Sequence, residues 1–182
     1  MENEAHANRI TLNNGESMPT FGLGTYGMKD SAIMAKSFLE LGYEMFDTAS
    51  FYKNEEVVGE AIKEVLKTKA RKDIFVISKV WWDEVEDVEA ACKRSLAKLG
   101  IEQLDLYLIH WPIAVKDVGD GKFERIKIPM YKIWEQMEAL VDKGLVKSIG
   151  VSNFNVQLIW DMLSYARIPP AINEVELHPL CT

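Results

Sequence analysis

Apolar runs of strand length alternate with helical stripes along this chain, and the alternation narrows its architecture before any single residue is weighed. Thr20 to Thr25 reads as a short strand. Ile33, Met34, Ala35, Phe38 and Leu41 then keep near-helical spacing, with Asp30 or Ser31 as cap and Gly42 as stop. Tyr43 to Asp47 is a strand, and Val57, Val58, Ala61, Ile62, Val65 and Leu66 form a helical stripe behind Asn54 as cap. Ile74 to Ile77 is a wholly apolar strand, followed by a stripe of Val88, Ala91, Cys92, Leu96 and Leu99 that ends at Gly100. Leu104 to Ile109, Val146 to Val151 and Ala171 to Val175 complete the strands. Between them lie a helix on Ile133, Met137, Leu140 and Val141, stopped at Gly144, and one on Leu158, Ile159, Met162 and Leu163. Such alternation implies parallel strands covered by helices. In a doubly wound open sheet, reactive side chains gather at one switch point; in a barrel they ring the carboxyl ends of many strands. Here they follow the first five strands alike, so the expected fold is α/β, a TIM (β/α)8-type barrel, incomplete, with about six strands present.

Two segments stand outside the repeat. Asn13-Asn14-Gly15 between Arg9–Leu12 and Ser17-Met18 predicts an N-terminal β-hairpin over about 9–18, because Asn-Gly tolerates positive φ. Residues 112–128 show no clear periodicity and contain Gly119-Asp120-Gly121; a connection longer than about 12 to 15 residues is usually functional, so it is read as a flap over the site. Gly22-Leu23-Gly24-Thr25-Tyr26-Gly27 matches the dinucleotide fingerprint literally, with Asp47 at the expected distance. The match is rejected. The fingerprint needs its glycines to open a helix directly onto a pyrophosphate, and Met28-Lys29-Asp30-Ser31 intervenes.

The chemistry-bearing residues fall just beyond successive strands. Asp47-Thr48-Ala49-Ser50-Phe51-Tyr52 sets a carboxylate at one strand end and a phenol in the loop after it. Ser78-Lys79 and Ile109-His110-Trp111-Pro112 follow the next two apolar runs. An acid, a phenol, an amine and an imidazole at three neighbouring strand exits suit proton transfer coupled to hydride transfer. Taken singly, each has a plainer role: Asp47 as a turn cap, Tyr52 as packing, His110 as a satisfied core histidine.

With these motifs in place, the chain resembles the aldo-keto reductases, near the aldose and aldehyde reductase branch. The matching segments are Phe21-Gly22-Leu23-Gly24-Thr25; Asp47-Thr48-Ala49 with Tyr52, Asn54 and Glu55; Ser78-Lys79; and Leu106 to Pro112. Gly144 to Phe154 and Val175-Glu176-Leu177-His178-Pro179 continue the match. The resemblance implies a barrel that binds a nicotinamide cofactor without a Rossmann domain: NADPH, with NADH as the alternative. It implies catalytic Asp47, Tyr52, Lys79 and His110, with Tyr52 as proton donor, Lys79 lowering its pKa, Asp47 holding Lys79, and His110 orienting the carbonyl. Cofactor contacts are implied for Thr25, Asp47, Ser152, Asn153 and Glu174, and substrate contacts for Tyr26, Trp81, His110 and Trp111. Glu174 stands where the family commonly has glutamine. An amide both donates and accepts, whereas an ionised carboxylate only accepts.

The resembled family continues through two more strand–helix units, so 1–182 is expected to be a single incomplete, C-terminally truncated barrel domain with an unclosed edge through which chains self-associate. The implied function is NADPH-dependent reduction of aldehydes and ketones to alcohols, impaired by the truncation. The alternative is a non-catalytic cofactor-binding or interaction subunit that keeps the fold. The net charge of -7 argues against nucleic acid as a partner, leaving a small-molecule carbonyl substrate. Cys92 and Cys181 are far apart and suit a reducing, cytoplasmic setting; no metal cluster is legible. Met1 to Asn8 lack the apolar core of a secretion signal, and no run reaches the roughly 20 apolar residues of a membrane helix.

Overall fold

The computed structural model describes residues 9–181; the N-terminal segment read as lacking a secretion signal lies outside them. In chain order the elements are β1 (Arg9–Thr11), β2 (Ser17–Pro19), β3 (Leu23–Gly24), α1 (Ser31–Leu41), β4 (Met45–Asp47), α2 (Glu55–Val65), β5 (Phe75–Val80), α3 (Val88–Leu99), β6 (Leu104–Ile109), β7 (Val115–Asp117), β8 (Phe123–Arg125), α4 (Met130–Asp142), β9 (Val146–Ser152), α5 (Val156–Leu163) and β10 (Asn173–Glu174). Six strands form one parallel sheet in the order β10-β9-β6-β5-β4-β3. Each helix lies between consecutive strands of that order, as the alternation implies.

The helix ends follow from local chemistry. The Asp30 carboxylate accepts from Ile33 N at the start of α1, and Gly42 at φ 76° ends it. Asp87 caps α3 by accepting from Ala90 N. Gly59 lets α2 and α3 meet: a Cβ there would lie 2.5 Å from the Lys98 carbonyl oxygen.

Period-two alternation divides the sheet's side chains between two cores. Phe46, Val76, Tyr107, Ile109, Ile149 and Val151 face the helices within the larger cluster. Met45, Phe75, Ile77, Leu106 and Leu108 face the other way and pack with Leu12. Leu12 comes from the hairpin turn, where Gly15 at φ 89° closes Asn13-Asn14-Gly15. Asn13 Nδ2 donates to the Pro169 and Pro170 carbonyls and Asn14 Nδ2 to Lys147 O and Ser148 Oγ, so the hairpin plugs the amino-terminal mouth of the curled sheet. The buried Asp105 carboxylate clamps the same end, accepting from Arg71, Lys147 and Val76 N at 2.8 to 2.9 Å.

Three local expectations need correction. Residues 112–128 are not unstructured: β7 and β8 pair antiparallel around Gly119, Asp120 and Gly121, all at positive φ. Their side chains are mostly exposed, which erases the alternation a half-buried strand would show. The first and last strands of the sheet are only two residues each, shorter than 20–25 and 171–175, because each has a single neighbour. Asn54 occupies the cap position of α2 but makes no cap bond. Its Nδ2 instead donates to Thr25 O at 2.7 Å and Met28 O at 3.0 Å, fastening the β3–α1 loop.

Candidate active site

The inner-face parity that gives Met45, Ile77 and Leu108 to the core gives the next positions toward the carboxyl ends to Asp47, Lys79 and His110. Registers Asp47↔Ile77, Lys79↔Leu108 and Ser152↔Glu174 put these side chains on one face at one end. Tyr52 reaches the same place from a 3-10 turn, Ser50–Tyr52, whose geometry is completed by Lys53 at φ 53°. Glu84 pins that turn. It accepts from Ser50 Oγ at 2.6 Å and from Trp81 N at 3.4 Å, and pairs with Arg94 at 3.0 Å.

Lys79 is the centre. Its ammonium is fully buried and surrounded by four oxygens: Asp47 Oδ1 at 2.7 Å, Glu174 Oε1 at 3.1 Å, Thr48 O at 3.2 Å and Tyr52 Oη at 3.4 Å. Three N–H donors cannot serve four acceptors equally, and the phenol is the most distant. Burial opposes the charge on Lys79, but Asp47, Glu174 and Tyr52 outweigh it and push its pKa up to about 12. Glu174 is pushed up to about 7 by burial, with Lys79 opposing and the Asp47 carboxylate adding. Glu174 and Lys79 lie on strands separated by β9 and β6. A flat sheet would hold those strands about 14 Å apart, so their ion pair spans the concavity of a curled one.

The expected acidification of Tyr52 is only half met. Burial raises the phenol's pKa, Lys79 lowers it, and Asp47 and Glu174 raise it again; the net direction is upward. Tyr52 therefore holds its proton firmly at neutral pH, and Lys79 acts by restraining the rise. His110 is pushed down to about 4, by burial first and then by Lys79, so its imidazole is neutral and has one N–H to donate. Its ring lies edge-on to Tyr52, with centroids 5.7 Å apart.

The other expected residues divide by position. Thr25 is fully buried and donates its hydroxyl to the Asp47 carbonyl at 2.9 Å, fastening the end of β4. Ser152 Oγ donates to Glu174 O at 2.9 Å, and Asn153, at φ 61°, donates to His110 O and Ser152 Oγ. Tyr26 stands 5.1 Å from the Tyr52 ring, and Trp81 stacks on Phe51 at 3.9 Å and faces His110 at 4.9 Å. Trp111 follows His110 at the rim and is partly exposed. The sequence offers Trp82 as a further aromatic without a place; it packs on Trp81 and Phe123, and its carbonyl accepts from Val115 N, hanging the β7–β8 hairpin beside the site. Sequence reasoning passed over Glu84, whose signal was an acid three residues after Trp81.

The sequence profile of the Aldo/keto reductase family matches residues 14–182. The chain belongs to the aldo/keto reductase family. Aldose reductase C of Dictyostelium discoideum is 42% identical over 96% of this chain and 60% of its own length. Aldo-keto reductase family 1 member A1-A of Danio rerio is 45% identical over 93% of this chain and 57% of its own. Among solved structures, aldose reductase from Schistosoma japonicum superposes with a TM-score of 0.87 at 41% identity, covering 94% of this chain and 61% of that one. Bombyx mori aldo-keto reductase in complex with NADP gives 0.85 at 36% identity, covering 94% and 58%. The six-stranded curled sheet is thus an aldo/keto reductase half-barrel, and the chain spans about three fifths of the length of these relatives. Among the described residues no helix is long and apolar enough to cross a membrane, and no group of ligating side chains could hold a metal.

Proposed function

We propose that this chain carries the proton-transfer machinery of an NADPH-dependent carbonyl reductase, with NADH as a second accepted cofactor, turning aldehydes and ketones into alcohols. The observation that carries the reading is the contact of one buried ammonium, Lys79, with both Asp47 and the Tyr52 hydroxyl, beside a neutral imidazole. Reduction adds a hydride to the carbonyl carbon, which the nicotinamide supplies when bound, and a proton to the oxygen. Tyr52 gives that proton, and its oxygen gains negative charge facing Lys79. Asp47 keeps Lys79 charged and in place. His110 donates its single N–H to the carbonyl oxygen and orients it. Tyr26, Trp81 and Trp111 form the apolar wall against which the substrate lies.

The residues around Glu174 fit a carboxamide. Asn153 has both amide hydrogens engaged, which leaves its carbonyl oxygen to accept from the amine. The Ser152 hydroxyl is committed to Glu174 O, so the carboxamide oxygen would take its donor from Glu174 in the neutral form. The test is cofactor oxidation with an aromatic aldehyde, comparing this chain with one extended to the full length of its relatives. The extended chain is expected to turn over and the shorter one to bind cofactor more weakly. Cofactor binding by the extended chain with no turnover would overturn the reading in favour of a binding subunit.

A further inference from the structure

We propose that Glu174 is a positioning residue that competes with Tyr52 for the Lys79 ammonium, so that proton donation by Tyr52 slows when the Glu174 carboxyl is ionised and quickens when it is neutral. The inference deepens the carbonyl-reductase reading of the same site and rests on it for its effect on rate. Its basis is geometric. Glu174 Oε1 stands 3.1 Å from Lys79 Nζ and the Tyr52 hydroxyl 3.4 Å. With Asp47 Oδ1 at 2.7 Å and Thr48 O at 3.2 Å, the three N–H donors are already matched without the phenol. A carboxylate at the third place draws the ammonium toward β10. A neutral carboxyl or amide there holds it less strongly, and the phenol can claim the bond.

Charge makes the same point. With Glu174 ionised, two carboxylates face one ammonium, and a developing phenolate would add a third negative charge to a largely buried pocket. With Glu174 neutral, Asp47 and Lys79 balance and the phenolate is the only excess. The groups facing Glu174 are Asp47 from β4, Lys79 from β5 and Tyr52 from the loop after β4. His110, at the end of β6, is uncharged across the neutral range, and β9 contributes only the uncharged Ser152 and Asn153. Protonation of Glu174 is accessible near neutrality. Because both oxygens contact the same nitrogen, they lie within about 6.5 Å of each other. A full charge at that range changes the phenolate fraction roughly threefold at water-like screening and more in a protein interior.

The test reads Tyr52 directly, by 13C NMR of ring-labelled tyrosine, with the resonance assigned by Tyr52→Phe. In the unsubstituted chain the Tyr52 signal is expected to show a near-neutral inflection from Glu174 before its own ionisation. In Glu174→Gln that inflection disappears, and the phenolate fraction at a fixed alkaline pH rises about threefold or more. Glu174→Ala, a smaller side chain, moves in the same direction. The other tyrosine signals report that the fold is intact. In the extended chain with saturating cofactor, kcat/KM for an aldehyde declines through neutral pH, and Glu174→Gln flattens the decline. An unchanged Tyr52 titration in both variants, or a shift in the alanine variant alone, overturns the inference. If Tyr52 responds as described while neither chain reduces a carbonyl, the link between Glu174 and Tyr52 stands and the reductase reading fails.

Discussion

Replacing Lys79 by methionine keeps most of the side chain's volume and removes only the buried charge, so its effects separate electrostatics from packing. The ammonium is 3.4 Å from the Tyr52 oxygen. A unit charge at that distance is worth about 1 kcal/mol at the dielectric of water and about 5 kcal/mol at an effective dielectric of 20. Asp47 and Glu174 hold the same ammonium, so the benefit to Tyr52 lies between these limits, at about 3 kcal/mol. The expected loss in kcat is roughly 10²-fold. Stability should fall too, because two carboxylates are left face to face; removing one member of a buried pair typically costs about 3 to 5 kcal/mol. Side chains of Asp47 and Glu174 are 20% and 34% exposed, and Glu174 can take up a proton, so about 2 kcal/mol is the expected figure here. Lys79→Met with Glu174→Gln should recover about half of that stability, since only one carboxylate then remains unpaired, and none of the activity. The assays are urea unfolding and aldehyde-dependent cofactor oxidation on the extended chain. A Lys79→Met enzyme within about threefold of the original kcat would refute the reasoning, as would a double variant that regains activity along with stability.

Three further outcomes concern the scaffold and its response to pH. Asn54→Ala removes the amide shared by the Thr25 and Met28 carbonyls, leaving Thr25 O with Met28 N as its donor and Met28 O without this one, and should destabilise the chain by about 1 to 2 kcal/mol by denaturant unfolding. Gly59→Ala sets a methyl 2.5 Å from the Lys98 carbonyl oxygen in a backbone-to-backbone contact, and should lower stability by about 1 to 3 kcal/mol by the same measurement. The His110 pKa lies at about 4 in the folded chain against its ordinary 6.5, so the folded state binds fewer protons than the unfolded one between those values. Its contribution is complete above pH 6.5 and is lost as pH falls toward 4. Glu174 acts in the opposite sense: its pKa is raised from 4.5 to about 7, so its contribution weakens as pH rises across that window. Substituting His110 by glutamine should therefore remove about 3 kcal/mol of acid sensitivity, read from unfolding free energies at neutral and acid pH.

The repeat was legible because a helix against a buried sheet must show a stripe, and a strand buried on both faces must be continuously apolar. Leu104–Ile109 is such a strand apart from Asp105, whose buried carboxylate is paired with Arg71 and Lys147, and its bounds follow from the sequence alone. The β7–β8 hairpin was not legible, because strands exposed on most sides need no pattern; only Gly119-Asp120-Gly121 announced a turn. Asn54 illustrates a different limit. Its residue type and place predict a helix cap, but a tertiary carbonyl pair took its amide instead. At the site, the residues that face one another on neighbouring strands were readable as strand-end chemistry. Two features were not. The direction of the Tyr52 shift depends on how deeply the ring is buried, which spacing does not encode. The ion pair of Glu174 with Lys79 exists only because the sheet curls, bringing together strands that are not neighbours.

The central claim is that Tyr52 hands its hydroxyl proton to the carbonyl oxygen. Tyr52→Phe removes that hydroxyl and keeps the ring that packs edge-on against His110. Aldehyde reduction by the extended chain should fall about 10²- to 10⁴-fold, while cofactor affinity, measured separately by fluorescence titration, stays the same. Turnover that survives in Tyr52→Phe would contradict the account.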